Sequence, residues 1–494
     1  MNRNLLCWVL ACILMIPLGL EAGNTSLGKD GYKIEITVEG LNATQASLAH
    51  YYYDNQYIDD TVEVVNGSFV FEGDEPLEEG MYLIFFPPEN DYFELIIGAD
   101  QHFSLSTKKG DYVKHMKVKG SKEAELYYSD LTYMTNQRLL ADSLQSRLKN
   151  GAEAEEAKML QERLNQIGDQ VEAYREKFLK ENDDFFYTKM IYASQDPSIP
   201  VAPRDENGKL LDSLFAFKYY KAHYFDTFDF NDPRLLRTPV MHHKVSTYME
   251  KLSYRHLADS MMQSIDYLLE NFQNNEDVFR FLTARFLNQF AKPKYMVDEA
   301  IYCHIVDKYY VSGQAHWMAD SLIDKMKERC EKISPTLPGR IAPDFKVMGM
   351  DGKYKRLHNI EADWVAIYFW NYDCSHCKKV TPKLVEAFEK YKLEEKGVKV
   401  LTININGDVE EWKEKIQTYG LDIEGVINTE DIYRQSGSTE VYDIYSTPRL
   451  FLLDKKKAIK AKQISVPQLL MILGTEMGFE VDEEDRIEEK EEDE

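Results

Sequence analysis

The spacing of apolar residues changes twice along the 494-residue chain, and this constrains the fold more than any other feature. Over residues 30–120, short runs such as 34–38 and 82–86 are separated by turn signals such as Asn66-Gly67. The runs carry the period-two alternation of strands that bury one face. We therefore predict a multidomain protein that begins with an antiparallel β-sandwich over residues 30–120.

The period becomes 3.6 in the middle of the chain. Over residues 121–334, apolar side chains recur at helical spacing and form a stripe on one helix face. The clearest stripe comprises Leu160, Leu164, Ile167, Val171, Tyr174 and Phe178. We predict an all-helical domain over residues 121–334, with further helices at 254–272 and 298–330.

The pattern changes again after Ser334–Gly339, a segment rich in proline and glycine. Apolar strands are predicted at 364–370, 398–405 and 450–453, and helices at 381–396, 410–419 and 466–477. Continuous apolar strands that alternate with helices are typical of a sheet covered on both faces. We predict an α/β domain over residues 336–480.

Charge limits the partners of the chain. Acidic residues outnumber basic ones by 84 to 59, a net charge of −25, so the surface repels phosphate backbones and a nucleic-acid partner is not expected. Residues 481–494 contain ten acids, two bases and few apolar residues. We predict that they form a disordered acidic tail.

The N-terminus indicates export. Arg3 precedes an apolar run over residues 5–20 and small residues at 22–23, which together predict a secretory signal peptide over residues 1–22. The expected location is the periplasm or cell envelope. A lipoprotein-like box ending at Cys12 is discounted, because cleavage there leaves residues 13–20 as an apolar overhang. Membrane association is expected only through this segment, with an uncleaved anchor as the alternative.

Cleavage of the signal peptide leaves four cysteines. Cys303 and Cys330 can form a disulfide if their Cα atoms lie within about 7 Å, but we favour two unpaired, buried side chains. Cys374 and Cys377 are only three residues apart and open a helix that follows the strand at 364–370. This C-x-x-C arrangement is typical of a redox dithiol.

The helix start favours a thiolate on the first cysteine of the dithiol. The helix N-terminus stabilises negative charge on Cys374, and His376 adds positive charge or a hydrogen bond. We therefore expect the pKa of Cys374 to lie below the ordinary thiol value of about 8.5. Asp373 opposes this effect, and Ser375 completes the motif as a further redox-tuning residue.

Several segments of the C-terminal region together resemble exported thioredoxin-like proteins of the TlpA and redoxin type. They are Ala342-Pro343-Asp344-Phe345, the strand 366–370, Cys374-Ser375-His376-Cys377, Pro382 and Ser446-Thr447-Pro448. The two upstream regions resemble modules of unassigned function that precede such thioredoxins in exported proteins of Gram-negative bacteria.

The resemblance implies a role for each matched residue. Cys374 would attack a substrate disulfide and Cys377 would resolve the mixed disulfide. Thr447 and a cis-Pro448, with Trp370, would bind substrate, and Pro382 would kink the helix. The implied partners are thiols or disulfides of envelope proteins and an unidentified electron donor. The resemblance favours a reductase, whereas His376 favours an oxidant; we prefer the reductase direction.

The sequence departs from the family at two acidic positions. A buried carboxylate would fall at Tyr368, and the acid of TlpA-like relatives would fall at Val380. The base that deprotonates Cys377 is therefore unidentified. An alternative follows: the protein binds or organises envelope partners, and its thioredoxin-like domain is a docking module with little redox turnover.

Two other chemistries do not fit the motif. A zinc site needs two more ligands than Cys374 and Cys377 supply, and no second C-x-x-C or H-x-x-H is present. A peroxidase of the redoxin class needs a P-x-x-x-T/S-x-x-C setting, which is absent before Cys374. We expect no metal and no cofactor other than the redox-active 374–377 disulfide.

Overall fold

The computed structural model describes residues 31–88, 91–151 and 153–487. The predicted signal peptide and the last seven residues of the predicted tail lie outside these ranges. No helix within them is both long and apolar enough to cross a membrane. Within these ranges the chain forms two compact units: residues 31–191 with 237–239, and residues 192–236 with 240–487.

The first unit begins with two four-stranded sheets that enclose one apolar core. Their orders are β4-β1-β7-β8 and β3-β2-β5-β6. The strands are β1 (Tyr32–Glu39), β2 (Gln45–Tyr52), β3 (Asn55–Glu63), β4 (Ser68–Gly73), β5 (Gly80–Phe86), β6 (Asp91–Ile97), β7 (His102–Lys108) and β8 (Lys117–Lys119). This confirms the predicted β-region, with one difference: β1 and β7 pair in parallel.

The predicted helical middle region is confirmed. Its helices are α2 (Lys122–Lys149), α3 (Ala154–Glu181), α4 (Phe186–Ser194), α5 (Phe215–Ala222), α6 (Pro239–Lys251), α7 (Ala258–Asn271), α8 (Glu276–Ala291), α9 (Asp298–Ile305) and α10 (Asp320–Ile333); the short helix α1 (Tyr112–His115) precedes them, between β7 and β8. The helix predicted over 298–330 is interrupted, because a π-helical stretch over Val306–Val311 and a turn-rich segment separate α9 from α10.

The preference for unpaired cysteines in this region is wrong. Cys303 on α9 and Cys330 on α10 form a disulfide, with their Cα atoms 5.4 Å apart. Both side chains are buried. Sequence spacing alone could not show this, because the pairing depends on how two helices pack.

The C-terminal α/β region contains a seven-stranded sheet of order β10-β9-β13-β12-β11-β14-β15. Its elements are β9 (Lys346–Gly349), β10 (Tyr354–Arg356), β11 (Trp364–Trp370), α11 (Ser375–Lys390), β12 (Val398–Asn404), α12 (Val409–Thr418), β13 (Val426–Glu430), α13 (Ser438–Val441), β14 (Arg449–Asp454), β15 (Ile459–Lys462) and α14 (Val466–Met477). The predicted α/β class is confirmed.

The strand β11 lies inside this sheet, parallel to β12 and antiparallel to β14. Its side chains alternate between two cores: Tyr368 and Trp370 face the core that contains residues of α11, α12 and α14, and Ile367 and Phe369 face the other. Burial on both faces explains the continuous apolar run. The C-terminal end of β11 is thus fixed rigidly.

Part of the predicted disordered tail is folded, which corrects that expectation for residues 481–487. Val481 is buried, and a 3₁₀ turn spans Glu483–Arg486. The amine of Lys390 lies 2.7–2.9 Å from carboxylate oxygens of Asp482, Glu484 and Asp485. The sequence-based argument considered the composition of the tail but not this cation on α11.

Candidate functional site

The predicted dithiol lies where β11 is connected to α11. After Trp370, a short turn leads to Cys374, which occupies the N-cap position of α11. The Cys374 side chain is half-buried, Cys377 in the first helical turn is buried, and neither forms a disulfide. The helix therefore begins at the motif, as the C-x-x-C arrangement predicted, and six residues before the stretch 381–396 that the apolar pattern gave.

Several hydrogen bonds act on the Cys374 sulfur. Partial burial acts to raise the pKa of this thiol. Hydrogen bonds outweigh burial and lower the pKa of Cys374 below its ordinary value; they come from the backbone N–H of Cys377, the Thr447 side chain, the Cys377 thiol and the backbone N–H of His376. Cys374 is thus poised to act as a thiolate.

Cys377 has the opposite character. Burial is the largest effect and raises the pKa of Cys377 to about 12, and the neighbouring Cys374 sulfur adds to the increase. Hydrogen bonds with the Asn371 backbone and the Thr447 side chain oppose the shift without cancelling it. The two sulfurs therefore differ in acidity, with the accessible one the more acidic.

Thr447 and Pro448 are more than 70 positions away in sequence but adjoin the dithiol in space. The Thr447–Pro448 peptide bond is cis. The Cys374 thiol donates to the carbonyl oxygen of Thr447 at 3.2 Å. Both residues are partly exposed, so a bound molecule can reach this side of Cys374.

The other residues of the motif lie on the surface. Asp373, Ser375 and His376 are exposed. An Asp373 carboxylate oxygen lies 3.9 Å from the amine of Lys378. His376 lowers the pKa of Cys374 through a hydrogen bond from its backbone N–H, one of the two effects that the sequence analysis considered.

The prediction that Trp370 binds substrate does not agree with its position in the structure. The Trp370 side chain is fully buried, so it cannot contact a docked protein. Its ring packs in the core that also contains Cys377, 5.9 Å between centroids from the ring of Tyr419. Trp370 instead supports the floor of the site. Pro382 lies inside α11 as expected.

The position where the family places a buried acid holds a phenol. Tyr368 is fully buried, and its hydroxyl oxygen lies 2.9 Å from the hydroxyl oxygen of Thr381. Burial and the nearby Cys377 sulfur raise the pKa of Tyr368, so it stays protonated and is a poor base. Burial, Asn371, Thr447 and Cys374 have the largest effects on the pKa of Cys377, and none of these is a carboxylate.

Sequence analysis missed Tyr372, which holds the turn before Cys374 in place through hydrogen bonds. The hydroxyl of Tyr372 accepts from the backbone N–H of Asp408 at 2.8 Å and donates to Glu411 at 3.0 Å. It thereby ties the turn before Cys374 to the start of α12. No local pattern marks Tyr372, because its partners lie 36 and 39 residues further along the chain.

Comparisons with known proteins define the class of the C-terminal region. Residues 362–459 match a family model described as thioredoxin-like. Residues 32–127 and 170–334 match two models described as domains of unknown function, DUF4369 and DUF5106. The C-terminal region thus matches the thioredoxin-like family model, in agreement with the resemblance that the sequence predicted.

Individual relatives agree with this class. Thiol-disulfide oxidoreductase ResA of Geobacillus kaustophilus is 28% identical over 122 residues, which are 25% of this chain and 66% of that protein. ResA of Geobacillus thermodenitrificans is 29% identical over 125 residues, with the same two shares. The chain thus spans slightly less than two thirds of these relatives. The predicted resemblance to thioredoxin-like thiol–disulfide oxidoreductases is confirmed.

Two solved structures are among those similar to this chain. A domain of a possible thiol-disulfide isomerase from Cytophaga hutchinsonii is 34% identical, covers 29% of this chain and 96% of that chain, and gives a TM-score of 0.27. A thioredoxin-like protein from Bacteroides caccae is 18% identical, covers 56% of this chain and 98% of that chain, and gives a TM-score of 0.40.

Proposed function

We propose that this protein is an exported thiol–disulfide oxidoreductase that reduces disulfides of envelope proteins through Cys374 and Cys377. The observation that carries the proposal is the unequal acidity of the two sulfurs. The half-buried Cys374 sulfur has a lowered pKa and lies beside the Thr447 carbonyl, and the buried Cys377 sulfur has a raised pKa. A nucleophile needs the first property, and a resolving thiol reacts only after the first bond has formed.

The reaction proceeds by two exchanges. The Cys374 thiolate attacks one sulfur of a substrate disulfide, forms a mixed disulfide and releases the other sulfur as a thiolate, which takes up a proton. Cys377 then loses its proton and attacks Cys374, which breaks the mixed disulfide and releases the second substrate thiol. Two electrons pass to the substrate, and the 374–377 disulfide remains.

Residues around the dithiol orient the substrate. An extended peptide beside Cys374 can hydrogen-bond to the backbone at Thr447, and Pro448 supplies a flat apolar contact next to it. An envelope dithiol donor must then reduce the 374–377 disulfide, since the chain itself supplies no further electrons. Asp373, Ser375 and His376 are exposed at the mouth and tune the dithiol and the docking of substrate.

Reduction of insulin by dithiothreitol tests the activity. The wild-type chain is expected to accelerate precipitation of the insulin B chain at least tenfold over the uncatalysed reaction. Cys374→Ser removes the nucleophile and should abolish the acceleration. Cys377→Ser should trap a mixed disulfide, visible by mass spectrometry under non-reducing conditions.

A second function is favoured by one observation: the pKa of Cys377 is raised, and no carboxylate is among the groups that affect it most. Slow resolution is what a binding or scaffold protein with a thioredoxin-like docking module would show. Equal insulin reduction by the wild type and Cys374→Ser would support this alternative. Export is tested separately: N-terminal sequencing of the protein from an envelope fraction should begin near Gly23.

A further inference from the structure

A half-open groove in the second unit has no part in the proposed redox reaction. Its volume is about 750 Å³. The loop that leads into α9 forms one wall, and the turn after β15 with the first half of α14 forms the other. Ligand sites of small molecules typically measure about 300–1,000 Å³ and often lie between structural regions, so size and position both suit a ligand.

Most of the lining is apolar. The apolar residues are Pro293, Tyr295, Met296, Val297, Ile464, Pro467, Met471 and Ile472. Met471 and Tyr295 remain 44% and 47% exposed, so this surface is open to solvent. Methionine side chains adapt to ligands of different shape. The groove can therefore cover the apolar body of a bound molecule.

The charges in the groove favour an anion. Glu299 is its one carboxylate, and the amine of the buried Lys462 neutralises it at 2.6 Å. The other basic side chains of the lining are His256, Lys294 and Arg486. In the described part of the chain, neither Lys294 nor Arg486 forms an ion pair; Arg486 donates its Nε hydrogen to the Val481 carbonyl at 2.7 Å.

This excess of cations is unusual for the chain as a whole, in which acids exceed bases by 25. We propose that the groove binds a small amphipathic carboxylate, with an apolar body on the Met296 and Met471 surface and the carboxylate near Lys294 and Arg486. A polyanion is disfavoured by the surrounding negative surface. Residues 488–494 are acidic but contain no apolar side chain that could cover the apolar lining of the groove.

Isothermal titration of the full chain with dodecanoate, below its micelle-forming concentration, tests the proposal. Saturable one-to-one binding is expected. Dodecyltrimethylammonium has the same apolar body with the opposite charge, and acetate has the charge without the body; each should bind at least tenfold more weakly. Lys294→Glu, Arg486→Glu and Met471→Asp should each weaken dodecanoate binding at least fivefold.

Lys325→Glu is the matched control, because it reverses a charge on an exposed position of α10 outside the groove. It should leave the affinity within twofold. Three results would each overturn the proposal: no saturable binding, equal binding of the cationic amphiphile, or binding that appears only after removal of residues 488–494. The last result would assign the groove to the acidic segment of the chain itself.

Discussion

At the scale of single residues, the two sulfurs of the dithiol are set apart by their surroundings. Cys374 receives hydrogen bonds at a helix start, whereas Cys377 lies in a core beside a protonated phenol. The first environment favours charge on sulfur and the second opposes it. Deprotonation of Cys377 is therefore the expected slow step of turnover.

Alkylation tests the unequal acidity. Because the folded-state pKa of Cys374 is lowered, its thiolate should persist as the pH falls below about 8.5, where an ordinary thiol is largely protonated. In Cys377→Ser, the rate of iodoacetamide modification should therefore have its midpoint below that value. In Cys374→Ser, modification of Cys377 should stay slow up to about pH 9. Similar midpoints in the two variants would contradict the assignment.

An acid introduced beside Cys377 should speed its deprotonation. Val380 is partly buried against the core that contains Cys377, so a longer polar side chain there can still reach solvent. Val380→Glu is expected to raise the rate of mixed-disulfide resolution at pH 7 about tenfold or more, since general-base assistance typically contributes 10²–10⁴-fold. Val380→Gln, of similar shape but without a base, should show no such gain in stopped-flow measurements.

At the scale of helices and strands, the sequence predicts best where burial produces a regular pattern. The bounds of β11 and α14 are as predicted, because β11 is buried on both faces and α14 has a serine cap. The apolar pattern put the start of α11 six residues late, at 381, because the first turn consists mainly of exposed residues around the cysteines; the C-x-x-C motif put it correctly at the cysteines. Strands β13 and β15 were missed because they have only five and four residues.

The site was predictable only where its chemistry is local in sequence. The C-x-x-C motif identified Cys374 and Cys377, and the resemblance led to Thr447 and Pro448. The hydrogen bonds of Tyr372 with Asp408 and of Thr381 with Tyr368 are tertiary contacts that no local sequence pattern marks. Trp370 was misassigned because a position at a strand end does not reveal on which side of the sheet the side chain is buried.

The Cys303–Cys330 disulfide between α9 and α10 should contribute to stability without contributing to catalysis. Replacing both Cys303 and Cys330 by serine removes a crosslink that closes a 27-residue separation, and we expect the free energy of unfolding to fall by about 3 kcal/mol. Urea denaturation measures this loss. Cys374→Ser with Cys377→Ser is the control, because it removes two thiols but no crosslink, and it should change stability much less.

At the scale of the whole molecule, the net charge of −25 should select among disulfide substrates. A basic substrate is steered toward this surface and an acidic one is repelled, and salt screens both effects. With two disulfide peptides of equal length and opposite charge, reduction of the basic peptide should slow as salt rises from 20 to about 300 mM. Reduction of the acidic peptide should become faster; identical salt dependence would exclude steering.

The contact between Lys390 and the acidic turn has a practical consequence for anyone who shortens this protein. The match to the thioredoxin-like family model ends at residue 459, yet Val481 is buried. Beyond it, Asp482, Glu484 and Asp485 form ion pairs with Lys390, the last residue of α11. A fragment that stops at 480 would leave an uncovered apolar site and an amine without its counterions. A stable isolated redox domain should therefore be cut no earlier than Arg486.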